Sequence, residues 1–368
     1  MYTLKKSFSI FGADLQDSLE ADPDFFSRLK SAKKSPDVED LMLIGERFGF
    51  FKKPERPIAA SIFVTKGGVL KTSLTLNLAR MAALHGLKVC VVGLDMQGDI
   101  TQALGNEGPD ENESLEEALR TLNSLRGLSD LFIGQATLDE ILIETELPGL
   151  CFIPETPELV SLDQSLLTRN RREYWLLENV VTPLKERFDL ILMDCSPNWN
   201  RLINNALVAN DVLISPVECK INNFRNLRTF RALIAEFKRD MRLSFEHVMV
   251  PTRVVNSRRL SREIFDWYRA NLDGCAAGSI RESIQGEEAT ALRLSIAEHS
   301  PNSAPAAEIR LLLAEIAERM GMAQADWKAR LILDQAKLGG TSGDWFGERN
   351  LTKNEEGHES PSSELPFN

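Results

Sequence analysis

The feature that most restricts this fold is a glycine loop, Lys66-Gly67-Gly68-Val69-Leu70-Lys71-Thr72, between a short apolar run and a helical stretch. Ile58 to Val64 is apolar and partly β-branched, which predicts a buried strand. Lys71 to His85 has helical periodicity, and Gly86 is placed to end it. A loop in that setting turns backbone N–H groups toward an anion, and the helix dipole adds partial positive charge. Gly67 and Gly68 let the backbone close around phosphate oxygens without Cβ clashes. Lys71 is expected to reach the β- and γ-phosphates of a nucleotide, and the Thr72 hydroxyl to ligate Mg²⁺. Lys66, Val69, Leu70 and Ser73 complete the candidate nucleotide contacts.

Further apolar runs at Lys88–Leu94, Leu190–Met193, Val212–Val217 and Val248–Val250 alternate with helical stretches. Alternation of this kind predicts an α/β fold, a doubly wound, mostly parallel sheet with helices on both faces. Two of the runs end in an acid. Asp194 closes Phe188-Asp189-Leu190-Ile191-Leu192-Met193-Asp194, where a Mg²⁺-bound water needs an acceptor. Asp95 closes Val91–Leu94 and precedes Met96-Gln97-Gly98, a place suited to orienting an attacking water.

These motifs define a central unit at residues 58–338. Residues 1–57 read as a polar, helical extension ending in the linker Lys52-Lys53-Pro54-Glu55-Arg56-Pro57. Within it, Ser35 is expected to cap a short helix with Pro36 as its first residue. Residues 339–368 are polar and acidic and read as disordered. The last helices are expected near Ala306–Arg319 and Asp326–Lys337. Cys90, Cys151, Cys195, Cys219 and Cys275 are far apart and form no paired motif, which points to reduced core thiols of a cytoplasmic protein. No apolar run approaches a membrane span, and the stretch after Lys5 and Lys6 is too short for a signal peptide.

The segments KGGVLKTS, GLDMQGDIT, FDLILMDCSPNWN and PVECK together resemble the ParA/MinD family of deviant Walker ATPases, most closely the ParA partition ATPases, over about residues 57–320. Arg171-Arg172-Glu173 and Ser257-Arg258-Arg259-Leu260-Ser261 share the resemblance. It implies ATP and Mg²⁺ as cofactors, weak intrinsic hydrolysis, and an ATP-dependent sandwich homodimer. In that dimer Lys66 would reach the partner's nucleotide in trans. It further implies nonspecific duplex DNA and a ParB-like centromere-binding protein as partners, no membrane, and a nucleoid-associated cytoplasmic location. Three positions depart from the pattern. Leu70 replaces glycine, which is expected to narrow the loop or slow hydrolysis. Gly93 replaces the first acid of the second motif, and Ser196-Pro197 replaces Pro-Pro.

The formal net charge is −11, yet Asn222 to Arg262 holds ten Lys or Arg against three Asp or Glu. On a helix, Arg225, Arg228, Arg231, Lys238, Arg239 and Arg242 share one face, opposite Leu227, Phe230, Leu233, Ile234, Phe237 and Met241. Arg253, Arg258, Arg259 and Arg262 follow. Such a stripe is the footprint of backbone-phosphate contact, or else a solvated basic face balanced by acids from elsewhere. Arg231, Lys238, Arg258 and Arg259 are the candidate DNA contacts. Competing readings are a MinD-like positioning ATPase, which needs a C-terminal basic amphipathic helix, a redox or metal carrier, which needs paired cysteines, and a nucleotide switch with little hydrolysis.

Overall fold

A computed structural model describes residues 3–29, 36–105, 114, 116, 125–255 and 257–338. The acidic tail expected beyond residue 338 lies outside them. The strands are β1 Ile58–Ile62, β2 Val89–Leu94, β3 Ile143–Glu144, β4 Leu150–Ile153, β5 Leu190–Cys195, β6 Val212–Glu218 and β7 Glu246–Thr252. Among the described residues they form one sheet in the order β3-β4-β2-β5-β1-β6-β7, parallel except for the antiparallel edge strand β3. The central strands are buried along their whole length because helices cover both faces.

The helices that matter for the site are α1 Leu4–Ile10, α2 Leu15–Ala21, α3 Val38–Phe48, α4 Lys71–Leu84, α5 Asp99–Ala103, α6 Ile221–Met241, α7 Arg259–Asn271 and α8 Ala304–Arg319. Helix α4 follows the glycine loop directly and is buried on nearly every face, as befits a helix laid against the sheet. Strand register sets the site. Ile62 of β1 pairs with Asp194 of β5, and Gly93 of β2 pairs with the same Asp194. Three carboxyl ends therefore finish level, where open α/β sheets bind ligands.

The N-terminal helices join the same apolar cluster as α4 and α8, through Phe8, Ile10, Phe11, Leu41 and Ile44. Gly45 on α3 lies so close to the end of α4 that a Cβ would meet the Leu84 carbonyl oxygen at 2.1 Å and Phe11 Cε1 at 2.6 Å. His85 accepts the Phe50 N–H at 3.0 Å among the rings of Phe11, Phe50 and Phe51. Burial lowers its pKa to about 3, so the imidazole is neutral.

Two local expectations need correction. Helix α3 is capped by Asp37, whose side chain accepts the Asp40 N–H at 2.9 Å, and starts at Val38, two residues beyond the expected first position. The segment expected as one helix over Asp326–Lys337 breaks at Leu331 into Trp327–Arg330 and Ile332–Lys337.

Candidate nucleotide site

The loop after β1 reverses through two left-handed residues, Gly68 at φ +68° and Leu70 at φ +69°. A Cβ at Gly67 or Gly68 would meet nothing within 4 Å, so both glycines face open space. Leu70 is the exception to the glycine rule. A left-handed residue with a side chain costs about 1–2 kcal/mol. Its side chain is half-buried and packs against the apolar core, which offsets that cost.

Above the loop lies a cavity of about 410 Å³, lined by residues 67–73, by Asp95, Met96, Gln97 and Asp99, and by Pro197, Asn198 and Arg253. Asp194 is buried and does not itself line the cavity, which it meets through Thr72. Its two oxygens accept the hydroxyls of Thr72 and Thr75, each at 2.8 Å. Burial raises Asp194 to about 6 despite those bonds and the nearby Lys71 charge. Asp95 is half-buried at the cavity wall, and burial raises its carboxyl too, against the Gln97 N–H and Lys71. The Lys71 ammonium donates to the Lys66 carbonyl at 3.4 Å.

A hydroxyl paired with a buried carboxylate beneath open backbone amides fits a Mg²⁺ whose remaining ligands are phosphate oxygens and waters. Among the described residues no group of three or more His, Cys, Asp or Glu side chains is placed to hold a metal by itself.

Sequence reasoning brought Gly67 to Ser73, Asp95 and Asp194 together, and they meet here. Lys66 does not face this cavity. Its ammonium bonds the Asn223 side-chain oxygen and lies 3.5 Å from Glu218 at the end of β6. Burial alone would raise Glu218, but bonds from Lys220 and Asn223 and the Lys66 charge hold it below its ordinary value. Arg253, grouped from sequence with the basic stretch, instead lines the cavity. It follows β7 at φ +53° and pairs with Glu282 at 3.0 Å and Glu218 at 3.6 Å.

Glu155, two residues beyond β4, escaped sequence reasoning altogether. It is 5% exposed, and burial together with the Asp194 and Asp95 charges pushes its carboxyl up to about 9. The available signal for both residues was position, since each stands at the carboxyl end of a strand beside the loop's own strand set.

The basic face is less uniform than its periodicity implies. Arg228, Arg239 and Arg242 on or at the end of α6 are exposed, as are Arg258, Arg259 and Arg262 at α7, while Arg231 is half-buried. Lys238 does not project freely. Its ammonium donates to the Phe245 carbonyl at 2.6 Å and sits 4.6 Å from the Phe245 ring centre, a cation–π contact that satisfies it locally. Arg259 pairs with Glu263 at 2.7 Å. Leu233, expected on the apolar side, is 40% exposed. The side chain of Arg225 lies outside the described residues.

The profile of a family described as "AAA domain" matches residues 58–247. The chain belongs to the ParA/MinD family of P-loop ATPases. It is 25% identical to the cell division protein PomZ of Myxococcus xanthus over 71% of this chain and 78% of PomZ. It is 31% identical to the chromosome partitioning protein ParA of the same organism, over 42% of this chain and 50% of ParA. A putative plasmid partition protein from Borrelia burgdorferi, solved with AMPPNP, superposes with a TM-score of 0.58 at 20% identity, over 72% of this chain and all (100%) of that one. The cobyrinic acid a,c-diamide synthase of Mycobacterium smegmatis, solved with ADP and magnesium, gives 0.57 at 21% identity, over 72% and 95% of the two chains. At these identities the two structures show a shared fold. Among the described residues, no helix of this ParA/MinD-type chain is long and apolar enough to cross a membrane.

Proposed function

We propose that this chain is a partition or positioning ATPase whose ATP-bound form dimerises, binds nonspecific duplex DNA and lets go on hydrolysis. The observation that carries the reading is Asp194, buried against the start of α4 with the Thr72 and Thr75 hydroxyls on its two oxygens, while Asp95 lines the cavity that Thr72 also lines. In this reading residues 67–73 would cradle the phosphates of ATP, Lys71 would supply charge to them, and Thr72 would hold Mg²⁺ directly with Asp194 supporting it through water. Bound Mg²⁺ supplies charge neutralisation at the phosphates. Asp95 orients the attacking water.

The named relatives support segregation or positioning as the setting. The partner proposed to stimulate hydrolysis is a ParB-like protein. Lys66, held in this protomer by Glu218 and Asn223, would leave them to reach the partner's nucleotide in trans. The exposed Arg258 and Arg259 are the proposed DNA contacts, with Arg231 next. Lys238, tied to Phe245, contributes field more than direct contact. Dimerisation sets two basic faces side by side, so DNA binding should need ATP.

The test is an anisotropy titration on random-sequence duplex, with ATP or ADP, at several salt concentrations. Binding is expected only with ATP and should weaken steeply with salt. Replacing Arg258 and Arg259 together by Glu should remove it at moderate salt while leaving the ATP dimer intact. Wild type that ignores duplex DNA in the ATP state sinks the DNA reading. A double variant that binds as tightly as wild type, with the same salt slope, moves the contact elsewhere.

A further inference from the structure

The second acidic loop has a device of its own beneath it. A Cβ built on Gly93 would lie 2.2 Å from Glu155 Cγ and 3.1 Å from Glu155 Cδ, so the Glu155 side chain occupies the room that a side chain at position 93 would need. Glu155 comes from the neighbouring strand connection, two residues after β4, which pairs with β2. Its carboxyl meets both ends of the loop that carries Asp95. One oxygen accepts the Asp95 N–H at 3.3 Å. The other accepts the Ile100 N–H at 3.2 Å, the Thr101 N–H at 3.4 Å and the Thr101 hydroxyl at 3.4 Å. Thr101 completes the ring, because its hydroxyl oxygen accepts the Glu155 N–H at 2.8 Å.

Both carboxyl oxygens are thus engaged by the loop's backbone, and Glu155 does not line the cavity, whereas Asp95, Met96, Gln97 and Asp99 between its two anchor points do. We propose that Glu155 is a positioning residue for ATP hydrolysis, a carboxyl supplied from β4 in place of a side chain on β2, which clamps residues 95–101 so that Asp95 is held at the cavity. The assignment rests on the reading of this cavity as an ATP site. Gly93 and Glu155 form one unit in it. Glycine at 93 is required by the clamp, and the clamp serves where β2 bears no side chain.

The coupling is reciprocal, and that separates it from ordinary packing. With Glu155 present, Gly93→Asp forces the 2.2 Å overlap and should lower stability and turnover. With Glu155→Ala, the atoms at 2.2 Å and 3.1 Å are gone and the residue 155 backbone nitrogen stays at 3.2 Å, so the same aspartate finds most of that space vacated and its carboxyl can face the freed amides. One substitution is therefore harmful in one background and restorative in the other.

The experiment measures ATP turnover, ATP affinity by fluorescent nucleotide, and amide hydrogen exchange of residues 95–103, in wild type, Glu155→Ala, Gly93→Asp and the double variant. Glu155→Ala should lower kcat by about 100-fold through misplacement of Asp95, with ATP affinity nearly unchanged and faster exchange in the loop. The double variant should recover most of both the turnover and the protection. Wild-type kcat and loop exchange in Glu155→Ala overturn the proposal. So does an equal loss of affinity and turnover, or a Gly93→Asp effect of the same sign in both backgrounds. Should Glu155→Ala fail to fold, the double variant decides by folding and turning over, or not. Wild type without ATP turnover refutes the hydrolysis reading instead, and loop exchange across the four proteins still decides the clamp.

Discussion

Asp194→Asn should make the empty protein more stable and the nucleotide site useless. The ionised carboxylate is buried and burial raises its pKa from 3.8 to about 6. Moving a titration midpoint by one pH unit corresponds to about 1.4 kcal/mol, so the charge costs the folded, empty protein about 3 kcal/mol once it is fully ionised. The sign follows from proton binding. Below the unfolded value both states hold the proton and there is no cost. Between about pH 4 and pH 6 the unfolded chain releases its proton first, and stability falls. Above that window the loss is complete. An asparagine never ionises, and the Thr72 and Thr75 hydroxyls can rotate to donate to its oxygen and accept from its amide, so both bonds survive. Urea unfolding from pH 4 to pH 8, with chelator and no nucleotide, should show the variant level with wild type at the acid end and ahead by up to about 3 kcal/mol at pH 8. In the same protein, Mg²⁺-dependent ATP affinity should collapse. A variant less stable than wild type at pH 8 would refute the desolvation argument, and unchanged Mg²⁺-dependent affinity would remove Asp194 from the metal site.

Lys71→Ala should abolish Mg·ATP binding in a fluorescent-nucleotide titration, because it removes the lysine that lines the cavity. Retained affinity would overturn the phosphate-loop assignment. Lys66→Ala should stay folded and bind ATP but lose turnover in the dimer, read by light scattering and phosphate release. Loss of nucleotide binding by the monomer would show that Lys66 acts in cis. Gly45→Ala should cost about 1–3 kcal/mol or more in thermal unfolding, since its Cβ meets the Leu84 carbonyl at 2.1 Å. A neutral result would mean that the N-terminal helices do not pack against α4 as described.

What was legible in the sequence was local. A β-branched run, two glycines, Lys-Thr and a helical period lie within one short window, and each constrains the next, so β1, the loop and α4 follow from that window alone. Asp95 and Asp194 were readable for the same reason, each ending its own apolar run. Strands β3 and β4 escape a reading by period because Ile143–Glu144 and Leu150–Ile153 are only two and four residues long, although Pro148-Gly149 and Pro154 punctuate the second of them. The basic stripe was half legible. Helical periodicity says which side chains share a face but not which of them find a partner, and Lys238 found the Phe245 carbonyl in the following loop. Lys66 shows the same limit at the site itself, since its resting partners, Glu218 and Asn223, lie far along the chain on β6 and α6.

Gly93 and Glu155 carry this furthest. Read alone, Gly93 is a missing acid in an otherwise complete second motif, and Glu155 is a charged residue after an apolar run. Only the β2–β4 register, Val92 beside Ile153, brings the two strand ends together and turns a loss at one into a gain at the other. A substitution at either position is therefore uninterpretable without the other. The swap changes not only which residue carries the carboxyl but which strand it is anchored to. That carboxyl reaches the Asp95 loop from outside the cavity, where it holds backbone N–H groups and leaves the cavity wall to Asp95.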